Sequence, residues 1–371
     1  IYLDYNATAP IRPEACDAMM SAMAEPANAS SVHVAGRKAK QQLQEARQVV
    51  ADAVSAWPNE VIFTGSGSEA NNMALRAFTD RPLLVGATEH ASIVKTAEKL
   101  GGDTLPVDRN GIIDLEILES KLKSLGKPAL VSVMLVNNET GVIQPITDIS
   151  KIVKEYDGLL HCDAVQALGK MPVDINLLGA DMLTLCAHKL GGSVGVGALI
   201  VRNDLAIKPM TYGGGQELNR RAGTENLPAI LGFAKALELS NGWLGDVSTW
   251  LNDMEADIKA FAADVIIVGE GASRIGNTSN IIMNDVKSET QLMTYDLEGI
   301  CVSAGSACSS GRIEASHVLK EMGYDELAGC AIRVSAGWNT NRQDIQAFTK
   351  LWKSTYERLA KKSRIRQTEQ P

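Results

Sequence analysis

From residue 60 to residue 201 the chain repeats one rhythm: a short aliphatic, β-branched run, and between most such runs an amphipathic stretch of helical period. Strands buried on both faces read as continuous apolar runs, and parallel neighbours need a long crossover between them. The alternation therefore demands an α/β fold, a mostly parallel sheet sandwiched by helices. Strands are expected at 60–64, 83–86, 129–136, 158–162, 182–186 and 197–201, with helices at 69–78, 92–100, 115–125 and 146–155. An earlier helix over 36–54 carries Ala39, Leu43, Ala46, Val50 and Ala53 on one stripe, at spacings of three and four. Asp114 stands where an N-cap belongs. Beyond Gly242 a second region follows, with a helix near 246–262, strands near 265–268 and 279–283, and helices from about 316 and 344.

Composition narrows the function. The 371 residues are enough for about two domains. With 36 Lys+Arg against 44 Asp+Glu, the net charge of −8 argues against a nucleic-acid partner, because phosphate backbones are gripped by clustered cations. No apolar run approaches the ~18 residues of a membrane span, and the start IYLDYNATAP has no secretory character. A soluble, cytoplasmic protein is expected. Six cysteines are scattered, with no C-x-x-C pair and no histidine at zinc-finger spacing, so neither a structural metal nor a disulfide framework is expected. Cys16 and Cys330 read as small buried hydrophobes. The tail 358–371 is basic and polar, as a fraying helix end would be.

Ligands of such sheets sit beyond the carboxyl ends of the strands, so the residues after each strand carry the chemistry. Gly65-Ser66-Gly67-Ser68-Glu69-Ala70-Asn71 offers bare amides and hydroxyls at a helix start, an anion cradle without the lysine of a Walker loop; a tight turn is the plainer reading. Ala87-Thr88-Glu89-His90 brings an imidazole that could stack on a flat ligand or be an ordinary loop histidine. Asn137-Asn138-Glu139-Thr140-Gly141 follows the next strand, and Asp163-Ala164-Val165-Gln166 the one after. A strand-end acid is costly unless a cation or strong donor meets it. Ala187-His188-Lys189 leads into a glycine-rich stretch, and a lysine there would be desolvated toward its nucleophilic free amine. A phosphate cradle, a strand-end carboxylate and, 26 positions later, a strand-end lysine meet the needs of pyridoxal phosphate. The cofactor needs an amine for its aldehyde and an acid to keep its ring nitrogen protonated.

With these motifs the chain resembles the cysteine desulfurases, class V members of the fold-type I pyridoxal phosphate enzymes. The resemblance runs in order through Leu3-Asp4-Tyr5-Asn6-Ala7-Thr8-Ala9-Pro10, Asn28-Ala29-Ser30-Ser31-Val32-His33, the 65–72 turn and Thr88-Glu89-His90, then Val136 to Gly141, Asp163 to Gln166 and Ala187-His188-Lys189. It continues through Arg221-Ala222-Gly223-Thr224-Glu225-Asn226, Gly305-Ser306-Ala307-Cys308 and Ile332-Arg333-Val334-Ser335. It implies a large cofactor domain over 12–242 with a seven-stranded sheet. A smaller α+β domain would combine 1–11 with 243–371 and carry Cys308 in the long loop of the family's first group.

The implied roles fall on named positions. Lys189 would hold the cofactor and shuttle protons, Asp163 would pair with the pyridinium, Gln166 with the ring oxygen, and His90 would stack on the ring. Gly67, Ser68 and His188 would bind the phosphate, with Thr224 arriving from the second subunit of a homodimer. Asn138, which also lies against the cofactor, and Arg333 would hold the carboxylate of L-cysteine, a task that suits a guanidinium. Taken alone, Arg333 would be read as half of a structural ion pair. Cys308, among glycines and serines with little to pack against, would take the substrate's sulfur as a persulfide, release L-alanine, and pass the sulfur to an acceptor protein such as an iron–sulfur scaffold. The family usually has Ser at position 186, contacting the phosphate, and Cys186 is a weaker donor. It also often has Pro-Lys where Ser193-Val194 stands. A class V aminotransferase or selenocysteine lyase, and a non-catalytic sulfur-transfer scaffold, are the alternative readings; an aminotransferase has no need of Cys308.

Overall fold

A computed structural model describes residues 1–26, 28–305 and 315–368, with side chains to residue 360. The first region contains α1 (Pro13–Met23), α2 (Val34–Asp52), β1 (Val61–Thr64), α3 (Gly67–Arg76), β2 (Leu83–Gly86), α4 (Ala91–Leu100), β3 (Asp103–Leu105) and α5 (Leu115–Leu125). It continues with β4 (Leu130–Met134), α6 (Ile146–Glu155), β5 (Leu159–Asp163), α7 (Ile175–Leu178), β6 (Met182–Cys186), β7 (Gly197–Val201) and α8 (Leu227–Glu238). Its sheet has seven strands in the order β1-β7-β6-β5-β4-β2-β3. β7 is antiparallel to both neighbours and the remaining pairs are parallel, so six strands share one direction.

Period-two alternation in β1 and β2 sends side chains to two separate cores. Phe63 and Leu84 join a cluster with Leu43 and Val50 of α2, Leu118 of α5, Ile149 of α6 and Phe233 of α8. Ile62, Leu83 and Val85 join Ala70 and Met73 of α3 and Ile93 of α4 on the opposite face. Each fully buried aliphatic contributes about 1.5–3 kcal/mol, which fixes both helical layers to the sheet. Asp114 caps α5, its carboxylate accepting the Ile117 N–H at 3.0 Å.

The second region holds α9 (Leu244–Phe261), β8 (Ile266–Ile267), β9 (Thr278–Ile282), α10 (Ser288–Leu297), α11 (His317–Glu321), β10 (Ala331–Ser335) and α12 (Arg342–Thr368). The three strands form an antiparallel sheet ordered β10-β9-β8. Its core gathers Leu251, Ile281, Tyr295, Phe348 and Trp352, together with Leu3 from the chain's start. The backbone at Tyr2 and Asp4 bridges to Cys301 and Ser335. Residues 9–12 then cross to the first region, where Ala9 N–H meets His188 O and Arg12 N–H meets Gly191 O, both at 2.8 Å.

Six strands of the large sheet fall within a few residues of their expected positions. β3, α1, α7, α8, α10 and β10 were not anticipated, being short or lacking a clear apolar stripe. Cys330 is buried as expected, whereas Cys16 is only half-buried.

His161 sits in mid-sheet, fully buried, between the Ser132 hydroxyl at 2.8 Å and the Thr184 hydroxyl at 2.9 Å. Burial pushes its pKa down to about 3, so the folded chain holds it neutral while an unfolded chain protonates near 6.5. Stability from this residue is complete above that value and is lost as pH falls toward 3. We predict a loss of about 2–3 kcal/mol from His161 between roughly pH 6.5 and 4.5. His161→Gln should remove that part of the slope in urea unfolding; an unchanged slope would contradict it.

Candidate active site

One cavity of about 560 Å³ opens beyond the carboxyl ends of β4, β5 and β6. The chain runs from β2 out to the edge strand β3 and returns to β4 on β2's other side, which makes a switch point there. Its lining includes Ser66, Gly67, Ser68, His90, Asn138, Asp163, Gln166, Cys186, His188, Lys189 and Arg333. Ten of the expected site positions thus converge within one chain. Thr224 is exposed and lies outside that lining. Cys308 lies outside the described residues, while Gly305 and Ala315 on either side of that segment border the cavity.

Lys189 follows β6 in a turn closed by Gly192 N–H to Ala187 O at 3.0 Å. Gly191 adopts φ +96°, and a Cβ there would lie 2.7 Å from Arg12 Cγ, so the turn beneath the strap of residues 9–12 requires glycine. The Lys189 amine donates to Asn6 O and Ala7 O, each at 2.6 Å. Among the described residues no carboxylate is one of its hydrogen-bond partners, and desolvation lowers its pKa, with Arg333 adding to the depression. This favours a free amine.

Asp163 ends β5. Its carboxylate accepts from Asn71 Nδ2 at 2.8 Å and Val165 N–H at 3.0 Å. Asn71 Nδ2 also reaches Ser92 Oγ, which lies 2.8 Å from His90 Nδ1. His90 caps α4, its Nδ1 accepting the Ser92 N–H, which leaves Nε2 as the protonated nitrogen of the neutral ring. Burial is the main cause of its lowered pKa, Lys189 and His317 act in the same direction, and Asp163 opposes them.

The anion cradle is the first turn of α3, where Ser66 Oγ accepts the Glu69 N–H at 3.1 Å. A Cβ on Gly197 would meet Ser66 C at 2.7 Å and Gly67 N at 2.9 Å, so the cradle presses directly on β7. Glu69 accepts the Gly65 N–H at 2.6 Å and pairs with Arg221 at 2.8 Å. His188 is held neutral, burial pushing its pKa down to about 4. Cys186 is buried beside Gly67, and the Lys189 backbone N–H donates to its thiol.

Arg333 is buried. Its Nη2 pairs with Asp4 at 2.6 Å, its Nη1 donates to Asn138 O at 3.1 Å, and its Nε has no partner among the described residues. The ion pair suggested by sequence is therefore real, and it leaves a donor over. Four residues escaped sequence analysis as parts of the site: Asn6, Asn71, Lys170 and the cavity-lining carboxylate Glu139, whose pKa burial raises and which accepts from Ser316 Oγ at 2.6 Å. A buried polar side chain inside an apolar run, as at Lys170, was the available signal.

An amine free of carboxylates, a strand-end acid, a helix N-terminus and spare donors surround one cavity of ligand size. These residues fit pyridoxal phosphate, with its aldehyde, its basic ring nitrogen and its dianionic tail. Comparison with known proteins agrees. The class-V aminotransferase family model matches residues 1–348. The chain belongs to this family, among its cysteine desulfurases. It is 39% identical to cysteine desulfurase IscS of Dictyoglomus turgidum over 97% of this chain and 95% of that protein. It is 40% identical to cysteine desulfurase 2 of Trichormus variabilis, over 97% and 94%. Among solved structures, a NifS-like protein from Rickettsia africae superposes with TM-score 0.90 at 36% identity, covering 96% of this chain and 99% of that one.

Cys186→Ser is predicted to slow cofactor loss on dialysis by roughly fivefold, through one better hydrogen bond. Unchanged or faster loss would show that this side chain does not touch the phosphate.

Proposed function

We infer that this chain is a pyridoxal phosphate-dependent cysteine desulfurase, which converts L-cysteine to L-alanine and a protein-bound persulfide. The observation that carries the reading is the Lys189 amine, held by two backbone carbonyls and no acid in the cavity that also receives Asp163 and the first turn of α3. A relative solved in complex with cysteine, 29% identical with TM-score 0.79 over 91% of this chain, supports that substrate.

Lys189 would carry the cofactor, Asp163 and Gln166 would bond its ring nitrogen and oxygen, and Gly67, Ser68, Cys186 and His188 would surround its phosphate. His90 would cover the ring face. When bound, pyridoxal phosphate supplies an electron sink that makes the substrate's α-proton acidic. Asp163 would keep the ring nitrogen protonated. Arg333, with Nε unpaired, and Asn138 hold the substrate carboxylate. The Lys189 amine, whose desolvation favours its neutral form, would take the α-proton and later return a proton to carbon. The Cys308 thiolate attacks the substrate sulfur. The carbon–sulfur bond breaks with its electron pair going to carbon, leaving alanine and a persulfide on Cys308.

The large domain is proposed over 12–242, and the small one over 1–11 with 243–371. A homodimer in which Thr224 reaches the neighbouring site is supported by its exposure here and by exposed apolar residues nearby in sequence, Tyr212 and Leu218. An iron–sulfur scaffold is the proposed sulfur acceptor. The described helices include none long and apolar enough to cross a membrane, and a cytoplasmic location is proposed.

With L-cysteine and a reductant, the purified chain should release alanine and sulfide in equal amounts. Lys189→Ala should lower both by roughly 10³-fold, and Cys308→Ser should abolish persulfide formation. Wild-type alanine output from the Cys308 variant would remove that residue as the nucleophile.

A further inference from the structure

Lys170 is a buried lysine with no acid among its hydrogen-bond partners in the described residues. The segment after β5 turns helically, Leu168 N–H to Ala164 O and Lys170 N–H to Ala167 O, both at 3.0 Å. This sets Gln166 and Lys170 on one side, four residues apart. The Lys170 ammonium donates to Gln166 Oε1 at 2.8 Å and to Asn6 Oδ1 at 3.0 Å. Gln166 Nε2 then donates to Asn6 O at 3.0 Å, the same carbonyl that accepts from Lys189. The second N–H of that amide has no partner among the described residues, and Gln166 lines the cavity.

A lysine in its ammonium form can only donate. The amide atom facing Lys170 must therefore be oxygen, and the NH₂ of Gln166 must point the other way. The same holds at Asn6, whose Oδ1 faces Lys170 while its Nδ2 donates to Asn138 O at 3.0 Å and Thr278 Oγ1 at 2.8 Å. Replacing this lysine by an apolar residue would strip Gln166 Oε1 of its donor, leaving that amide held through Nε2 on Asn6 O, and would leave Asn6 Oδ1 with the weaker Asn277 Nδ2 donor at 3.3 Å.

We propose that Lys170 is a positioning residue of the active site: it locks the Gln166 amide so that an N–H donor faces the cofactor's ring oxygen, and locks Asn6 so that its backbone carbonyl stays on the Lys189 amine. The inference rests on the cofactor reading of the cavity. Its charge acts in a second way. The titratable groups acting on Lys170 are Lys189, Arg333 and the Cys186 thiol, and burial brings its own pKa down to about 7. Lys170 and Lys189 are thus two amines in one dry region, and charge on either disfavours charge on the other.

The test uses holoenzyme and follows two readouts, cofactor loss on dialysis and the pH midpoint of the bound cofactor's visible absorbance. Lys170→Met should speed cofactor loss roughly fivefold and raise the midpoint by about half a unit. Lys170→Gln, which restores a neutral donor, should bring retention back to within about twofold of wild type while the midpoint stays raised. In a Gln166→Ala background, Lys170→Met should accelerate loss by less than about twofold, because the two residues act as a unit. Wild-type retention and midpoint in Lys170→Met, or an undiminished effect in that background, would overturn the proposal. If Lys170→Met does not fold, an unchanged midpoint in Lys170→Gln overturns it alone. Absence of any visible cofactor band in the wild-type chain would instead overturn the reading of the cavity, and this inference with it.

Discussion

The grip of the Asn6 and Ala7 carbonyls on the Lys189 amine is the contact on which the site depends. Asn6 is buried and fully committed: its N–H donates to Ser335 Oγ at 3.0 Å, its side-chain amide reaches Thr278 and Asn138, and its backbone oxygen accepts from Lys189 and Gln166. Ser335 and Thr278 belong to the small sheet, Gln166 and Lys189 to the strand ends of the large one. One residue near the chain's start therefore ties the reactive amine to both cores. Backbone carbonyls orient a lysine without forming the ion pair that would fix its charge.

The electrostatics separate two jobs. Arg333 has its Asp4 partner, which lowers the cost of burying its charge. Among the described residues, the hydrogen-bond partners of Lys189 and Lys170 are neutral oxygens. An unpaired buried ammonium is held at a disadvantage to its neutral form, and this keeps an amine reactive at ordinary pH. Asp163, by contrast, is met by two N–H donors.

Much of this was legible in the chain. Continuous apolar runs marked the central strands, and what followed each strand marked the site, because parallel strands deliver their carboxyl ends to one edge. Lys189, Asp163, His90 and Gly67 were found that way. The direction of β7 was not legible, since the ten residues between Cys186 and Gly197 do not reveal whether the chain crosses over or turns back. Asn6, Asn71 and Lys170 escaped because their roles arise from contacts across 92 to 183 residues of sequence separation. The Asp4–Arg333 pair, 329 residues apart, is of the same kind.

The central claim is that the cofactor is bound covalently through the amine at 189. Hydride reduction of the holoenzyme, followed by proteolysis and mass spectrometry of the peptides, tests it directly. The cofactor's mass should appear on Lys189. Its appearance on Lys170 or another lysine, or on no peptide of a chain that had carried the chromophore, would contradict the account.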